Sequence, residues 1–266
     1  MVSRVGRLVI LAIAAGACSW ACSASDPAAV APDPSAVTGP RPADRTVAIV
    51  TTACGSASAT IGSAVRLDHT TVLTAAHVVS GAGSVAVVDG KNLPASREWP
   101  DFSPAALSDG AAAATIVAFD PDRDLALIST RQGSPDPSGE PRIDRPTLGT
   151  AAVGDGIEVH GAAAAPIDAI VAQRTTIEAD GVRTRTRVER DGYRLDGATG
   201  RGDSGAGVWA ADGRLVGLVF AVSTADDTRT WAVSGREIAA FLDAADREPP
   251  RSYRCDETTS RLVAEP

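Results

Sequence analysis

Between Thr46 and Val233 the sequence breaks into short runs rich in Val, Ile, Leu and Thr, separated by glycine and polar turns. Runs this short suit strands, and their spacing suits small antiparallel barrels. The first set is Val47–Val50, Gly62–Leu67, Thr71–Thr74, Ser84–Val88, Ala114–Phe119 and Leu125–Ile128. Residues 131–146 hold four prolines and read as a connection between two halves. The second set is Gly156–His160, Ile170–Glu178, Arg183–Glu189, Gly205–Trp209, Leu215–Phe220 and Thr230–Val233. Two sets of about six strands predict an all-β fold of two antiparallel β-barrels, about 46–130 and about 147–233.

Helical spacing appears only near the end. Ile238, Phe241, Leu242 and Ala245 fall on one apolar face, predicting a C-terminal α-helix over 234–245. Ser234 is placed to cap it, with Glu237 three residues on. Residues 246–266 are polar and are expected to lie over the surface as a tail.

The N-terminus follows a different rule. Arg4 and Arg7 precede the apolar run Leu8–Ala15 and small residues near Gly16, the layout of a secretory signal peptide over 1–25. Export is therefore expected. Two fates stand side by side: cleavage near Ser23–Ser25, or acylation of Cys18 in a lipobox-like Gly16-Ala17-Cys18, which would anchor the chain to a membrane. The protein would then be secreted or periplasmic in the first case, and lipid-anchored at the envelope in the second. Residues 26–45, with five prolines, read as a disordered linker or pro-segment. Beyond the export segment only Cys54 and Cys255 remain, and an oxidising compartment favours their pairing. Their spacing offers no metal site, so neither a metal nor a cofactor is expected. A net charge of −8 argues against nucleic-acid binding.

The chemistry gathers at Gly202-Asp203-Ser204-Gly205, where glycines flank a serine on a tight turn. A serine hydroxyl is a weak nucleophile at neutral pH and needs a base, which in turn needs an acid to fix its tautomer. The chain has three histidines. His69 sits in a polar turn and reads as exposed; His160 ends a strand and reads as structural. His77 closes Thr74-Ala75-Ala76-His77 after a β-rich run, the context of a base. Asp124 directly precedes an apolar run and is the candidate acid, whereas Asp120 and Asp122 read as solvated turn residues. An elbow of the α/β-hydrolase type would need Gly at position 206, which is Ala, and would put Ser first in chain order.

Thr74–His77, Asp124–Leu127 and Gly202–Gly205, in the order His, Asp, Ser, resemble the chymotrypsin-like (trypsin-like) serine protease family over roughly 46–245. The resemblance implies two six-stranded barrels with a triad in the cleft between them. It implies protein or peptide substrates, a monomer, Ser204 as nucleophile, His77 as base and Asp124 as orienting carboxylate. It further implies an oxyanion hole from the N–H groups of Gly202 and Ser204, and a structural acid at Asp203 paired with a buried cation. A catalytically silent binding protein on the same fold is the competing expectation.

Departures place the chain nearer bacterial members. No Ile-Val-Gly-Gly start is present, so an internal arginine is the expected partner of Asp203, and Val78 stands where animal members have cysteine. The resemblance implies that the base of the specificity pocket is Ala198, which argues against cleavage after Arg or Lys. Val222 in the pocket wall replaces a common glycine, giving a narrow slot for a small apolar residue. Arg183, Arg185 and Arg187 alternate along one predicted strand face, which reads as a solvated edge.

Overall fold

The computed structural model describes residues 40–55, 59–89, 111–130, 144–162, 165–182, 186–223, 228–248, 251–256 and 261–265. The export segment with Cys18, most of the linker, and Arg183 and Arg185 lie outside the described residues.

Six strands build the first barrel: β1 (Thr46–Ala53), β2 (Ala59–Arg66), β3 (Thr71–Ala75), β4 (Ala82–Asp89), β5 (Ala111–Asp120) and β6 (Leu125–Ser129). They pair in the order β5-β4-β1-β2-β3-β6, and β6 pairs back onto β5, which closes the ring. A one-turn helix, α1 (Ala76–Val79), follows β3. The second barrel comprises β7 (Gly156–His160), β8 (Ile167–Asp180), β9 (Arg187–Asp196), β10 (Gly207–Ala210), β11 (Leu215–Val222) and β12 (Arg229–Ser234). It closes in the order β10-β11-β12-β9-β8-β7. The predicted helix is α2 (Gly235–Arg247), with Ile238, Phe241 and Leu242 buried.

Each barrel fills with its own β-branched residues, and a third apolar cluster welds them together. Val65, Leu67, Leu73, Leu125 and Leu127 from the first barrel meet Trp209, Leu215, Leu218 and Val233 from the second. The buried face of α2 packs into the same cluster. Each such side chain contributes about 1.5–3 kcal/mol on burial, so the two barrels share one continuous interface.

Four details differ from the sequence reading. Strand β9 begins at Arg187 and runs to Asp196, later than the predicted Arg183–Glu189, and Arg187 pairs with Glu178 at 3.5 Å. The end of the predicted linker is ordered: Pro42–Arg45 form a 3-10 turn. Arg45 is buried there and donates to the carbonyls of Arg66 and Asp144 at 3.3 and 2.7 Å; burial pushes its guanidinium below the ordinary arginine range. The tail is not merely a surface strap. Its residues form a hairpin, β13 (Tyr253–Asp256) and β14 (Arg261–Ala264), and Tyr253 pairs with Ile116 on β5. Finally, Ser234 caps α2 as expected, accepting from the Glu237 N–H, and the difference lies in the Glu237 side chain. The Glu237 carboxylate does not return to the cap N–H but accepts from Arg123 Nε at 2.8 Å and the Asp191 N–H at 3.2 Å.

Cys54 and Cys255, 201 positions apart in sequence, are joined by a disulfide with Cα atoms 5.9 Å apart. It fastens the tail hairpin to the end of β1. A loop this long loses much unfolded-state freedom when closed, which in the chain-entropy description stabilises the fold by about 5 kcal/mol.

Candidate active site

Antiparallel register brings the first two candidates together. Strand β3 pairs with β6 so that Ala75 faces Leu125, which puts the residues just after Ala75 beside those just before Leu125. Ala75 and Ala76 are fully buried; their small side chains let the backbone turn sharply into α1 and aim His77 outward, its side chain 37% exposed. Three bonds then join the two segments. Ala76 N–H donates to the Asp124 carbonyl at 3.0 Å, and His77 N–H donates to Asp124 Oδ1 at 2.8 Å. His77 Nδ1 lies 2.9 Å from Asp124 Oδ2. A carboxylate only accepts, so the imidazole carries its proton on Nδ1 and leaves the Nε2 lone pair free. That is the tautomer a general base needs.

Asp124 is buried and has φ +58°. Aspartate is among the few residues that enter the left-handed region at modest cost, and the three bonds above hold it there. Asp120 is not simply solvated. Its Oδ1 accepts from the N–H groups of Asp122 and Arg123 at 3.0 and 2.9 Å, and its Oδ2 holds Arg123 at 2.7 Å. That bond keeps the Arg123 guanidinium above the ordinary arginine range.

The serine lies on the connection from β9 to β10. Gly202 and Gly205 have φ +93° and +88°, conformations that a side chain would strain. At Gly205 a Cβ would also run into the Ser63 carbonyl. Ala206 N–H donates to the Asp203 carbonyl at 2.8 Å and Gly205 N–H to the Val219 carbonyl at 2.8 Å. Asp203 is buried, and its Oδ2 accepts from the Gly200 N–H at 2.8 Å. Its Oδ1 lies where a Cβ on Gly161 would be, so the glycine makes room for the acid.

Ser63 on β2 clamps this loop from the other barrel. Its N–H donates to the Ser204 carbonyl at 2.7 Å, and its Oγ donates to the Gly202 carbonyl at 2.7 Å. The same Oγ accepts from the Ala162 N–H at 2.9 Å, while Thr74 Oγ1 donates to the Ser63 carbonyl at 2.7 Å. Among the described residues, the N–H groups of Gly202 and Ser204 are donated to no protein acceptor, and Ser204 Oγ makes no hydrogen bond to His77. Such a bond is often loose without substrate and tightens in the complex.

The other candidates fall as follows. His160 is buried, with Nε2 2.8 Å from Glu158 Oε2, and His69 is half-buried rather than exposed. Ala198 is exposed, and its neighbours are fastened to β12: Thr230 Oγ1 donates to the Gly197 carbonyl at 2.8 Å and lies 2.7 Å from Thr199 Oγ1. Thr230 is also the register partner of Val222, which is 37% exposed. Ala198 and Val222 therefore flank one threonine.

Sequence reasoning missed Arg190. Its side chain is 2% exposed, and Nη1 lies 3.7 Å from Asp124 Oδ2. A buried arginine thus stands at Asp124. Between Glu189 and Asp191 it looks like part of a solvated charge run; the only signal was its shared parity with Val188 on β9. Ser63 and Thr74 gave no signal, because their bonds depend on how the barrels dock.

The profile of the trypsin-like peptidase domain family matches residues 62–218, more than half of the chain. The chain belongs to that family and is a hydrolase of the serine endopeptidase class. Among solved structures, the Rv3671c protease from M. tuberculosis in its active form has a TM-score of 0.61 and 22% identity, covering 85% of this chain and 89% of that one. The HtrA-type protease AlgW, solved with a tripeptide, has a TM-score of 0.55 and 19% identity, covering 83% and 71%. At these identities the likeness is one of fold. No curated protein sequence matches the chain.

Proposed function

We propose that the protein is an exported endopeptidase that cuts peptide bonds through an acyl-enzyme on Ser204. The observation that carries this reading is the His77–Asp124 pair, whose geometry leaves Nε2 as a base in a family that pairs such a base with serine. Ser204 Oγ attacks the scissile carbonyl and gives its proton to His77 Nε2. Asp124 stabilises the imidazolium that forms. The N–H groups of Gly202 and Ser204 receive the oxyanion, where losing one donor costs about 3–4 kcal/mol. His77 then protonates the leaving amine, and the C–N bond breaks. A water, deprotonated by His77, attacks the acyl-enzyme ester and restores Ser204.

The absence of acid at Ala198, together with Val222, supports a small apolar residue before the cut. An apolar slot discriminates by only about 1–3 kcal/mol per methylene, so the preference is expected to be graded. A fluorophosphonate probe is expected to label the wild type and not Ser204→Ala, and a peptide library is expected to be cut after small apolar residues. Equal labelling of both proteins would sink the mechanism, a folded protein that cuts no peptide of the library would favour the silent binding protein, and a profile led by Arg or Lys would sink the specificity.

Export rests on Arg4, Arg7 and the run Leu8–Ala15, and the Cys54–Cys255 disulfide suits an oxidising compartment. Intact mass and N-terminal sequencing of protein from the native host are expected to show loss of the leader. Cleavage near Ser23–Ser25 indicates release, and acylated Cys18 indicates an anchored form. An intact Met1 terminus would overturn export.

A further inference from the structure

The buried cation beside Asp124 has no part in the mechanism above, yet the structure surrounds it closely. Arg190 Nε donates to the Asp122 carbonyl at 2.6 Å, and Nη2 lies 3.5 Å from the Pro121 carbonyl. Nη1 sits 3.7 Å from Asp124 Oδ2, the oxygen that faces His77 Nδ1. The guanidinium carbon is 5.0 Å from the centroid of the Phe220 ring, so the remaining face is covered by an aromatic that attracts cations. Neighbouring charges point elsewhere. Asp191 accepts from Ser234 Oγ at 2.8 Å, while Glu237, Arg123 and Asp120 bond to one another in series.

We infer that Arg190 is the positioning residue for Asp124, fixing both the 121–124 turn and the rotation of the carboxylate that holds His77. The division of its contacts supports this. The two carbonyls belong to Pro121 and Asp122, just ahead of Arg123 and the left-handed Asp124, so their bonds to one rigid fork restrain the approach to φ +58°. The ion pair at 3.7 Å exceeds hydrogen-bond length. It acts as an electrostatic attraction on Oδ2, the oxygen that His77 Nδ1 meets at 2.9 Å, and does not take the place of that shorter bond. A carboxylate bonded by His77 N–H on Oδ1 and drawn by Arg190 on Oδ2 has little freedom to rotate. Ion pairing of this kind also explains why an arginine is tolerated at 2% exposure, since an unpaired buried cation would be strongly destabilising.

The inference rests on the proposed catalytic roles of His77 and Asp124, and two readouts keep the two apart. Arg190→Met removes charge and donors. Its kcat is expected to fall about 100-fold through misplacement of the base, with KM changed less than about twofold because no substrate contact is lost. Arg190→Lys keeps the charge and is expected to recover part of that loss. The second readout needs no turnover: in 1H NMR, the proton shared by His77 Nδ1 and Asp124 Oδ2 gives a far-downfield resonance. It is expected to move upfield and broaden in Arg190→Met and to return in Arg190→Lys. Should Arg190→Met fail to fold, Arg190→Gln, neutral but still able to reach the Asp122 carbonyl, takes its place with the same expectations. A folded neutral variant with wild-type kcat and an unmoved resonance would overturn the inference. An inactive, unlabelled wild type with the resonance shift intact would overturn the proposed activity and leave the positioning role standing.

Discussion

Ser204→Ala is expected to lower kcat by about a million-fold, the scale on which a triad nucleophile acts as one unit with its base, while leaving the melting temperature within a degree or so of wild type. The second half of that expectation comes from the structure. Ser204 Oγ makes no hydrogen bond among the described residues, whereas the Ser204 carbonyl, which the substitution keeps, is the atom bonded to Ser63 N–H. Truncation therefore removes the reacting atom and no support. Kinetics on a peptide ester and a thermal melt check both halves. A loss of less than a hundredfold would show that another group is the nucleophile, and a large fall in melting temperature would show that the serine serves the fold.

Asp124→Asn separates from Ser204→Ala by harming both activity and stability. Asparagine matches aspartate in shape and tolerates the left-handed conformation, so φ +58° can persist. Its amide, however, cannot accept from Nδ1 and His77 N–H with both terminal atoms. The imidazole loses the carboxylate that fixes its tautomer, and kcat is expected to fall about 10⁴-fold. At the same time Arg190, buried at 3.7 Å from the carboxylate, loses its counter-charge. Breaking a buried pair from one side costs about 3–5 kcal/mol, or a drop in melting temperature of roughly 10 °C for a domain of this size. Paired measurement of kcat and melting temperature tests this. An unchanged melting temperature would mean that the Arg190–Asp124 pair contributes nothing net to folding.

Much of this architecture was legible because barrel strands must alternate or bury β-branched residues, and Val47–Val50, Leu125–Ile128 and Leu215–Phe220 do so openly. The chain order and local contexts of His77, Asp124 and Ser204 were legible too, since each sits where a strand meets a turn. What stayed hidden depends on tertiary docking. Arg190 reads as an ordinary charged strand residue until β9 is laid against the 121–124 turn. Ser63 reads as a small polar residue in a strand until the second barrel brings Gly202 and Ser204 to it. The tail hairpin has strands of four residues, too short to be distinctive; pairing at the edge of β5 and the link to Cys54 define it. Asp120 looked solvated because its partners are backbone groups and Arg123 within three positions, which no periodicity reveals.

The clamp made by Ser63 has a genetic consequence. The backbone of the nucleophile loop is shaped by a residue encoded some 140 codons upstream, in the other half of the gene. A fragment carrying either half alone would hold at most part of the machinery, and shuffling halves between distant relatives would preserve both barrels yet lose their shared fastening. The two halves can diverge freely on their outer faces. At Ser63, Gly202 and Gly205 the halves meet through specific bonds and close contacts that a change on one side would disturb on the other.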